Sequence, residues 1–332
     1  MEEYVIIPTY KEEKNLRVLL PLLKRYRVII VDDGSEDGTE KLCKSYKNVR
    51  LIERGGKKGL SSAVMDGVSS IRDGDAKIVV ADADFEHDYS KIPAVMKKLS
   101  TYGFVECVKV GKRPLTRRLI SDTARLITRT AIPETGILED PMSGFFGFRK
   151  SAVNLKAVRP LGYKIMLELF MNLKHGTKTA HVRYKYGKRL YGSSKLGPAV
   201  MADFILQTLR LNNYRVAYFL AIGAAGVVIN EGLLAAFYRL TSLEIALIIA
   251  IGLSTLINFI LNHFITFKRR SGFARSLGKF SIVSLFTLAI NYFVAYYLSM
   301  LMFYLTANFI GIMAALVAKY SLSETYVWKT RS

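Results

Sequence analysis

The stretch that decides the fold is Ile78-Val79-Val80-Ala81-Asp82-Ala83-Asp84-Phe85-Glu86-His87, an apolar run that ends at two carboxylates. A short apolar run followed by polar residues predicts a buried strand that opens onto a polar site. Because side chains alternate between the faces of a strand, we expect Asp82 and Asp84 to point the same way, with Glu86 beside them. Such oxygen ligands suit Mg²⁺ or Mn²⁺, so the pattern predicts a metal site on these three residues, although an isolated Asp-x-Asp is also typical of a solvated turn.

The residues before this stretch predict an α/β fold. Apolar runs at residues 4–7 and 28–31 predict two further strands; a helical pattern covers about residues 11–23, and an acidic turn at residues 32–39 opens another helix. Strands that alternate with helices indicate a mostly parallel sheet, which binds ligands at the carboxyl ends of its strands. Two acidic loops beside one pocket fit a nucleotide sugar whose diphosphate is bridged by a metal ion.

Four motifs in this order resemble family 2 glycosyltransferases of the GT-A fold. They are Ile6-Ile7-Pro8-Thr9-Tyr10-Lys11-Glu12, Val31-Asp32-Asp33-Gly34-Ser35, Lys58-Gly59-Leu60-Ser61-Ser62-Ala63 and Asp82-Ala83-Asp84. Two more, at residues 140–146 and 192–195, narrow the resemblance to the dolichol-phosphate mannose synthases, in the prokaryotic form with a membrane domain. The resemblance extends over nearly the whole chain. It implies inverting transfer of mannose from GDP-mannose to a dolichyl or polyprenyl phosphate.

The resemblance also implies roles for individual residues. The positions that match donor-binding residues are Pro8, Tyr10, Glu12, Asp32, Asp33, Ser62, Asp82, Arg189 and Lys195. Those that match catalytic or acceptor-binding residues are Asp84, Arg113, Arg117, Ser121 and Asp140. Arg113 and Arg117 are expected to clamp the acceptor phosphate, because a planar guanidinium offers paired donors to phosphate oxygens. Three roles are possible for Asp140: it could act as an accessory base, order the acceptor side of the site, or cap the turn that follows it.

The expected chemistry requires little proton transfer. A lipid monophosphate is already an anionic nucleophile near neutral pH, so a general base is not obligatory. A divalent cation, Mg²⁺ or Mn²⁺, is the expected cofactor, since it would neutralise the departing nucleoside diphosphate. Positioning and charge neutralisation are therefore expected to dominate catalysis.

Three positions depart from the family pattern. Lys11 replaces a frequent Asn, Glu86 replaces the usual Gln of the metal motif, and Tyr191 replaces the Arg that usually precedes Gly-x-Ser-Lys. The last change leaves Arg189 as the nearby arginine. Donor binding is therefore better supported than the assignment of the acceptor phosphate.

The second half of the chain predicts a membrane domain. Hydrophobic residues make up 51% of the sequence, and the apolar excess is concentrated after residue 215. The predicted spans are residues 216–238, 243–266, 280–302 and 304–327. Each is long enough to cross a hydrocarbon core of about 30 Å at about 1.5 Å per residue. We expect four transmembrane helices.

Positive charge in the loops predicts how these helices are oriented. Basic residues between the second and third spans, and after the fourth, are Lys268, Arg269, Arg270, Arg275, Lys279, Lys329 and Arg331. The other two connections carry almost no positive charge, so the positive-inside rule places the N-terminal domain and the C-terminus in the cytoplasm.

The membrane region also repeats itself with an offset of 61 residues. This offset carries Phe219 onto Phe280 and Asn230 onto Asn291, which predicts two helical hairpins in tandem. Residues 258–267 resemble a motif of GtrA-like membrane domains, with a degraded copy at residues 319–328. Asn258 and Asn262 lie one helical turn apart, and we interpret them mainly as interhelical hydrogen-bonding residues.

Charge and cysteine content limit the possible partners. The net charge of +21 favours anionic membrane lipids and a phosphate-bearing acceptor, whereas no recognised nucleic-acid module accompanies it. Two cysteines are too few for a disulfide framework, and no cleavable signal precedes the first strand. Helical patterns at about residues 114–127 and 199–211 predict either membrane-surface helices or ordinary amphipathic helices packed on the sheet.

These observations predict a catalytic domain at residues 1–196, an amphipathic linker at 197–215 and a four-helix membrane domain at 216–332. Two alternatives to the mannose synthase remain at this point. One is a polyprenyl-phosphate glucosyltransferase that uses UDP-glucose. The other is a lipid-linked sugar transporter or scaffold whose cytoplasmic domain binds a nucleotide without catalysing a reaction.

Overall fold

The computed structural model describes residues 1–56, 59–111, 115–192 and 197–329, and the side chains of these residues except those of 115–120. The chain divides into two compact units. The first, here called the sheet unit, comprises Met1–Thr128 and Thr135–Gln207. The second, the helical unit, comprises Arg129–Glu134 and Thr208–Ser332. The domain boundaries expected at residues 196 and 215 stay predictions.

The sheet unit is built on a mixed sheet. In chain order its strands are β1 (Glu3–Thr9), β2 (Arg27–Asp32), β3 (Val49–Glu53), β4 (Lys77–Val80), β5 (Phe104–Val110), β6 (Phe146–Arg149) and β7 (Thr179–Lys185). They lie side by side in the order β3-β2-β1-β4-β6-β5-β7. β6 runs antiparallel to both of its neighbours, and the other described pairs are parallel. The predicted α/β fold with a mostly parallel sheet is confirmed.

Seven helices accompany the sheet along the chain. They are α1 (Glu13–Leu19), α2 (Thr39–Lys44), α3 (Leu60–Ser69), α4 (Ile92–Lys98), α5 (Leu115–Ala131), α6 (Ile165–Met171) and α7 (Pro198–Leu211). α1 begins two residues later than expected because Lys11 adopts a left-handed conformation, with a φ of 59°. Pro21 then lies within a short 3₁₀ turn, Leu20–Leu23. α5 and α7 confirm the two helices predicted before the membrane region, whereas their position at a bilayer surface stays a prediction.

Both faces of the sheet are buried, which explains why the central strands read as continuous apolar runs. Val5 and Ile7 of β1 belong to a core that includes residues of α1 and α4. The alternate residue Ile6 belongs to a second core with residues of α3 and α6. At Gly67 of α3 a Cβ would lie 2.8 Å from the Ile6 side chain, so glycine permits the close approach of α3 to β1. The two layers hold the carboxyl ends of the strands rigidly.

The helical unit contains the predicted membrane spans. Its helices are α8 (Arg215–Tyr238), α9 (Leu243–Leu261), α10 (Phe273–Ser299) and α11 (Tyr304–Leu322), and π-helical turns extend α9 and α11 over Asn262–Thr266 and Ser323–Val327. Within the described part of the chain, four helices are long and apolar enough to cross a bilayer. The third begins seven residues earlier than predicted, because the helix continues through the segment that carries Arg275 and Lys279.

The structure contains the predicted repeat. The two π-helical turns are related by the same offset of 61 residues, and they close two hairpins, α8 with α9 and α10 with α11. Equivalent aromatic residues of the two copies pack into one cluster, in which the Phe267 and Trp328 rings stack with centroids 4.2 Å apart. The interpretation of Asn262 as an interhelical residue is wrong: its amide donates to the Asn258 carbonyl, and its Oδ1 accepts from Thr266, within its own helix.

Candidate active site

A cavity of about 180 Å³ opens at the carboxyl ends of β1, β2 and β4. It is here called the donor cavity. Seven of the residues predicted to bind donor or metal line it: Pro8, Tyr10, Glu12, Asp33, Asp82, Asp84 and Arg189. Their side chains come from four separate segments of the chain, so the fold brings together what the sequence keeps apart.

The turn that carries the acidic motif lies beyond the strand. β4 ends at Val80, and Phe85 has a φ of 66°, so the expected strand alternation of Asp82 and Asp84 is wrong as an explanation. Tyr89 stabilises this turn, because its hydroxyl donates to the Asp82 carbonyl at 2.6 Å and accepts from the Phe85 N–H at 3.2 Å. Both aspartates nevertheless line the donor cavity, because these hydrogen bonds fix the course of the turn.

A second loop closes over this turn. The Gly187 N–H donates to the Glu86 carbonyl at 3.0 Å, and the Leu190 N–H donates to the Asp84 carbonyl at 3.1 Å. These bonds place Arg189, whose Nη2 lies 2.7 Å from Asp84 Oδ2 and whose Nε lies 3.6 Å from Glu86 Oε1. The arginine thus sits between two carboxylates at the wall of the donor cavity.

If the donor is the nucleotide sugar that the sequence predicts, we expect Gly187→Ala to reduce kcat/KM for it by about a hundredfold. A Cβ at this position would lie 2.3 Å from the Phe85 carbonyl oxygen, so the loop has to move and take Arg189 with it. A displacement of about 1 Å at a reacting site has effects of this size. Steady-state kinetics will measure the loss, with Gly74→Ala as control because a Cβ there has no atom within 4 Å. Equal activity of the two variants would show that the position of Arg189 does not matter.

Two further residues, His87 and Gly144, lie next to Asp82, although the sequence motifs did not connect them with it. The Asp82 N–H donates to His87 Nδ1 at 3.2 Å, and burial lowers the pKa of His87 to about 4, so this imidazole is neutral near pH 7. A Cβ at Gly144 would lie 3.0 Å from Asp82 Oδ2. The glycine of the motif at residues 140–146 therefore leaves room for the Asp82 carboxylate.

The two aspartates fit a cation that is bound jointly by protein and substrate. Burial raises the pKa of both Asp82 and Asp84, and for Asp84 the neighbouring Asp82 charge adds to this effect. A nearby positive ion would stabilise both ionised carboxylates and so offset these increases in pKa. Among the described residues, no group of three or more His, Cys, Asp or Glu side chains is arranged to hold a metal ion alone. Mg²⁺ commonly uses one or two carboxylates together with substrate phosphates, which matches this pair.

Glu86, the third predicted ligand, is placed differently. It lines a neighbouring cavity and faces Arg189, and it does not line the donor cavity. Its role as a metal ligand stays a prediction.

The part of the donor cavity around Asp33 depends on a buried ion pair that the motifs did not reveal. Arg54 Nη1 lies 2.7 Å from Asp33 Oδ1, and the side chains of both residues are less than a tenth exposed. The same guanidinium donates to the Gly59 carbonyl at 3.1 Å and to Ser62 Oγ at 2.6 Å. Arg54 therefore fixes both the Asp33 carboxylate and the start of α3. Its only sequence signal was an arginine directly after the short strand β3.

Asp32 and Ser62 do not line the donor cavity, although both were predicted to bind donor. The Asp32 carboxylate accepts from Thr9 Oγ1 at 3.0 Å and from the Ser35 N–H at 2.8 Å, which stabilises the turn after β2. Ser62 Oγ donates to the Gly59 carbonyl at 2.9 Å besides accepting from Arg54. These contacts explain both residues as positioning elements, and a direct contact with ligand stays a prediction.

The structure describes only some of the residues that were predicted to bind the acceptor. Arg113 and Lys195, and the side chain of Arg117, lie outside the described residues. Ser121 is on α5 and lines neither the donor cavity nor its neighbour. Asp140 is buried, with its Oδ2 4.0 Å from Lys109 Nζ and its Oδ1 3.9 Å from Arg125 Nη2. Asp140 is therefore placed as a counter-ion of two cations.

A match to known families decides the classification. Residues 4–155 match the family model of Glycosyl transferase family 2, and residues 218–328 match that of the GtrA/DPMS transmembrane domain. A dolichol-phosphate mannosyltransferase of Pyrococcus furiosus is 34% identical, with 99% of this chain and all of that protein covered. This chain belongs to the dolichol-phosphate mannosyltransferase family. It is thus a glycosyltransferase and an integral membrane protein.

Other relatives agree with this classification. A dolichol-phosphate mannosyltransferase of Saccharomyces cerevisiae is 34% identical to this glycosyltransferase, over 64% of this chain and 87% of the yeast protein. The sheet unit also has structural neighbours, one of which is a glucosyl-3-phosphoglycerate synthase of Mycobacterium tuberculosis solved with Mg²⁺ and UDP. That structure aligns with a TM-score of 0.51 and 18% identity, over 64% of this chain and 79% of its own. This likeness shows the GT-A fold alone.

Proposed function

We propose that this glycosyltransferase transfers mannose from GDP-mannose to the phosphate of dolichol or a related polyprenol, with inversion at the anomeric carbon. The names of the Pyrococcus and yeast relatives support the sugar and the acceptor. The observation that carries the proposal is the pairing of Asp82 and Asp84 at the wall of the donor cavity, with Arg189 beside them. This arrangement suits a nucleoside diphosphate whose charge must be neutralised as it departs.

A divalent cation, Mg²⁺ or Mn²⁺, would be held by Asp82 and Asp84, and when bound it supplies positive charge for the leaving diphosphate. Arg189 provides a second positive charge at the same wall. Asp33 is held by Arg54 and also lines the donor cavity, where its carboxylate can accept hydrogen bonds from the hydroxyl or amino groups of the nucleoside.

The nucleophile does not need a protein base. The acceptor phosphate is an anion near pH 7, and inversion follows if one of its oxygens attacks the anomeric carbon opposite the leaving diphosphate. His87, the imidazole beside this site, already accepts a hydrogen bond at Nδ1 and has a pKa of about 4, which makes it a poor proton acceptor here. The contribution of the protein is therefore mainly orientation and charge.

We place the catalytic sheet unit and the C-terminus on the cytoplasmic side. The basic residues between α9 and α10, together with those after α11, support this orientation by the positive-inside rule. A water-soluble nucleotide sugar would then reach the donor cavity directly, while the lipid acceptor arrives from the bilayer. The expected partners are GDP-mannose, the polyprenyl phosphate and membrane lipids, and nucleic acid is not expected.

The experiment that tests this proposal uses the protein in sealed vesicles that contain dolichyl phosphate. Radiolabelled GDP-mannose or UDP-glucose is added outside with Mn²⁺, and the lipid phase is extracted. We expect label from GDP-mannose alone, and only from those proteins whose cytoplasmic face is outward, as scored by protease access to the sheet unit. Label from UDP-glucose alone would make the protein a glucosyltransferase, and the absence of label from either donor would favour transport or scaffolding.

A further inference from the structure

A second cavity of about 240 Å³ adjoins the donor cavity. The two cavities meet along four residues that line both of them: Leu60, Asp82, Tyr163 and Arg189. The second cavity, here called the lysine cavity, is lined on its other sides by residues that include Lys109 and Lys164. Neither lysine lines the donor cavity.

Lys164 is anchored with its ammonium group at the lysine cavity. It is the N-cap residue of α6, and its Nζ donates to the Met142 carbonyl at 2.8 Å. An ammonium group has three N–H donors, so this bond leaves donors for another ligand. Within the described residues, no carboxylate lies within 4.0 Å of this nitrogen.

Lys109 approaches the same cavity from the end of β5. Its side chain is 17% exposed, and its Nζ lies 5.6 Å from the centre of the Tyr186 ring. The acidic neighbour at 4.0 Å, Asp140, also faces Arg125 at 3.9 Å. Asp140 is therefore shared by two cations. The lysine cavity itself is lined by Lys109, Lys164 and Arg189 against the carboxylates of Asp82 and Glu86, so its lining cations outnumber its lining carboxylates by one.

The two lysines also oppose each other electrostatically. The pKa of Lys164 is lowered to about 8, mainly by burial and in addition by the charge of Lys109, while Asp82 and Asp140 oppose this shift. Two ammonium groups that repel each other at one cavity form a site that an anion would stabilise. A phosphate monoester, with its two negative charges and several acceptor oxygens, is the anion best matched to two cations.

We propose that Lys109 and Lys164 bind the phosphate monoester of the lipid acceptor in the lysine cavity, in addition to Arg113 and Arg117, whose assignment to the same phosphate stays a prediction. This inference rests on the proposed function. The phosphate then lies next to the donor cavity, along the residues that line both cavities. A phosphate oxygen forms a bond to the anomeric carbon while the bond from that carbon to the diphosphate oxygen breaks; the bonding electron pair leaves with the nucleoside diphosphate, and no proton moves. The lysines hold the nucleophile and reduce its repulsion from the donor.

The test measures the KM for each substrate separately in full-length Lys109→Gln and Lys164→Gln. We expect the KM for dolichyl phosphate to rise about tenfold or more, since a charge-assisted hydrogen bond is lost, while the KM for GDP-mannose and the affinity for GDP stay within about twofold. Lys109→Arg should restore most of the acceptor affinity. The matched control is Lys178→Gln, because Lys178 is exposed and precedes β7 at the opposite end of the sheet.

Each other outcome has a defined meaning. A rise in the donor KM or a loss of GDP affinity, with an unchanged acceptor KM, would place the donor diphosphate on the lysines and overturn the inference. Unchanged constants for both substrates would overturn it as well. If the wild type transfers no sugar, the proposed function fails, and calorimetric titration with dolichyl phosphate then decides the inference: equal affinity of wild type and variants contradicts it. If Lys164→Gln does not fold, Lys109→Gln decides.

Discussion

Asp84→Asn is expected to lower kcat by about a thousandfold while leaving the sheet unit at least as stable as in the wild type. The substitution removes a negative charge that a cation requires and that also fixes Arg189 at 2.7 Å. Loss of several kcal/mol of charge stabilisation in the transition state corresponds to an effect of this size. Stability should not fall, because burial raises the pKa of Asp84 and the fold thus disfavours the ionised carboxylate that asparagine replaces.

The measurement is single-turnover kinetics across a Mn²⁺ titration, combined with thermal unfolding of each variant. Asp88→Asn is the matched control, because Asp88 is on the same turn but caps the following 3₁₀ helix by accepting from the Ser90 N–H, which asparagine also does well. The control should retain nearly full activity. Normal turnover in Asp84→Asn would rule out the assigned role of this carboxylate, and equal loss in both variants would indicate a general disturbance of the turn.

The sequence predicted those parts of the fold that depend on local pattern. The apolar runs of β1, β2 and β4 are fully buried strands, and the four apolar segments and their offset of 61 residues are properties that one stretch of chain carries by itself. The sequence did not predict β6, which is inserted antiparallel between β4 and β5. The place of β6 depends on pairing with residues that are 40 or more positions away in the chain, and the periodicity of the sequence does not reveal such a partner.

The candidate site divides in the same way. Asp82 and Asp84 were found because they follow a strand directly and lie two residues apart. Arg54 and Lys164 were missed because their roles come from distant contacts, with Asp33 in one case and the Met142 carbonyl in the other. A single basic residue has no motif, so its importance becomes visible only when burial and partner are known.

Arg54→Met is expected to destabilise the sheet unit by about 3–5 kcal/mol, because it leaves the buried Asp33 carboxylate without its cation. Asp33 would keep the bond from the Gly59 N–H at 3.2 Å, but one such bond does not replace an ion pair at 2.7 Å. The variant also removes the hydrogen bond from Arg54 to Ser62 at the start of α3. The start of α3 lines the part of the donor cavity around Asp33. We therefore expect a higher KM for the nucleotide sugar in the fraction that folds.

Pulse proteolysis of the full-length protein in urea will measure the free energy of unfolding of the sheet unit. Arg50→Met is the matched control: Arg50 is on β3, the strand that Arg54 directly follows, but it is exposed and makes one hydrogen bond, to the Ser70 carbonyl at 3.1 Å, so its loss should cost about 1 kcal/mol or less. The double variant Asp33→Asn with Arg54→Met removes both charges and should recover much of the stability but not the donor affinity. Recovery of both would mean that Asp33 serves only as the partner of Arg54, and a cost for Arg54→Met no larger than for Arg50→Met would show that the buried pair does not hold the donor cavity together.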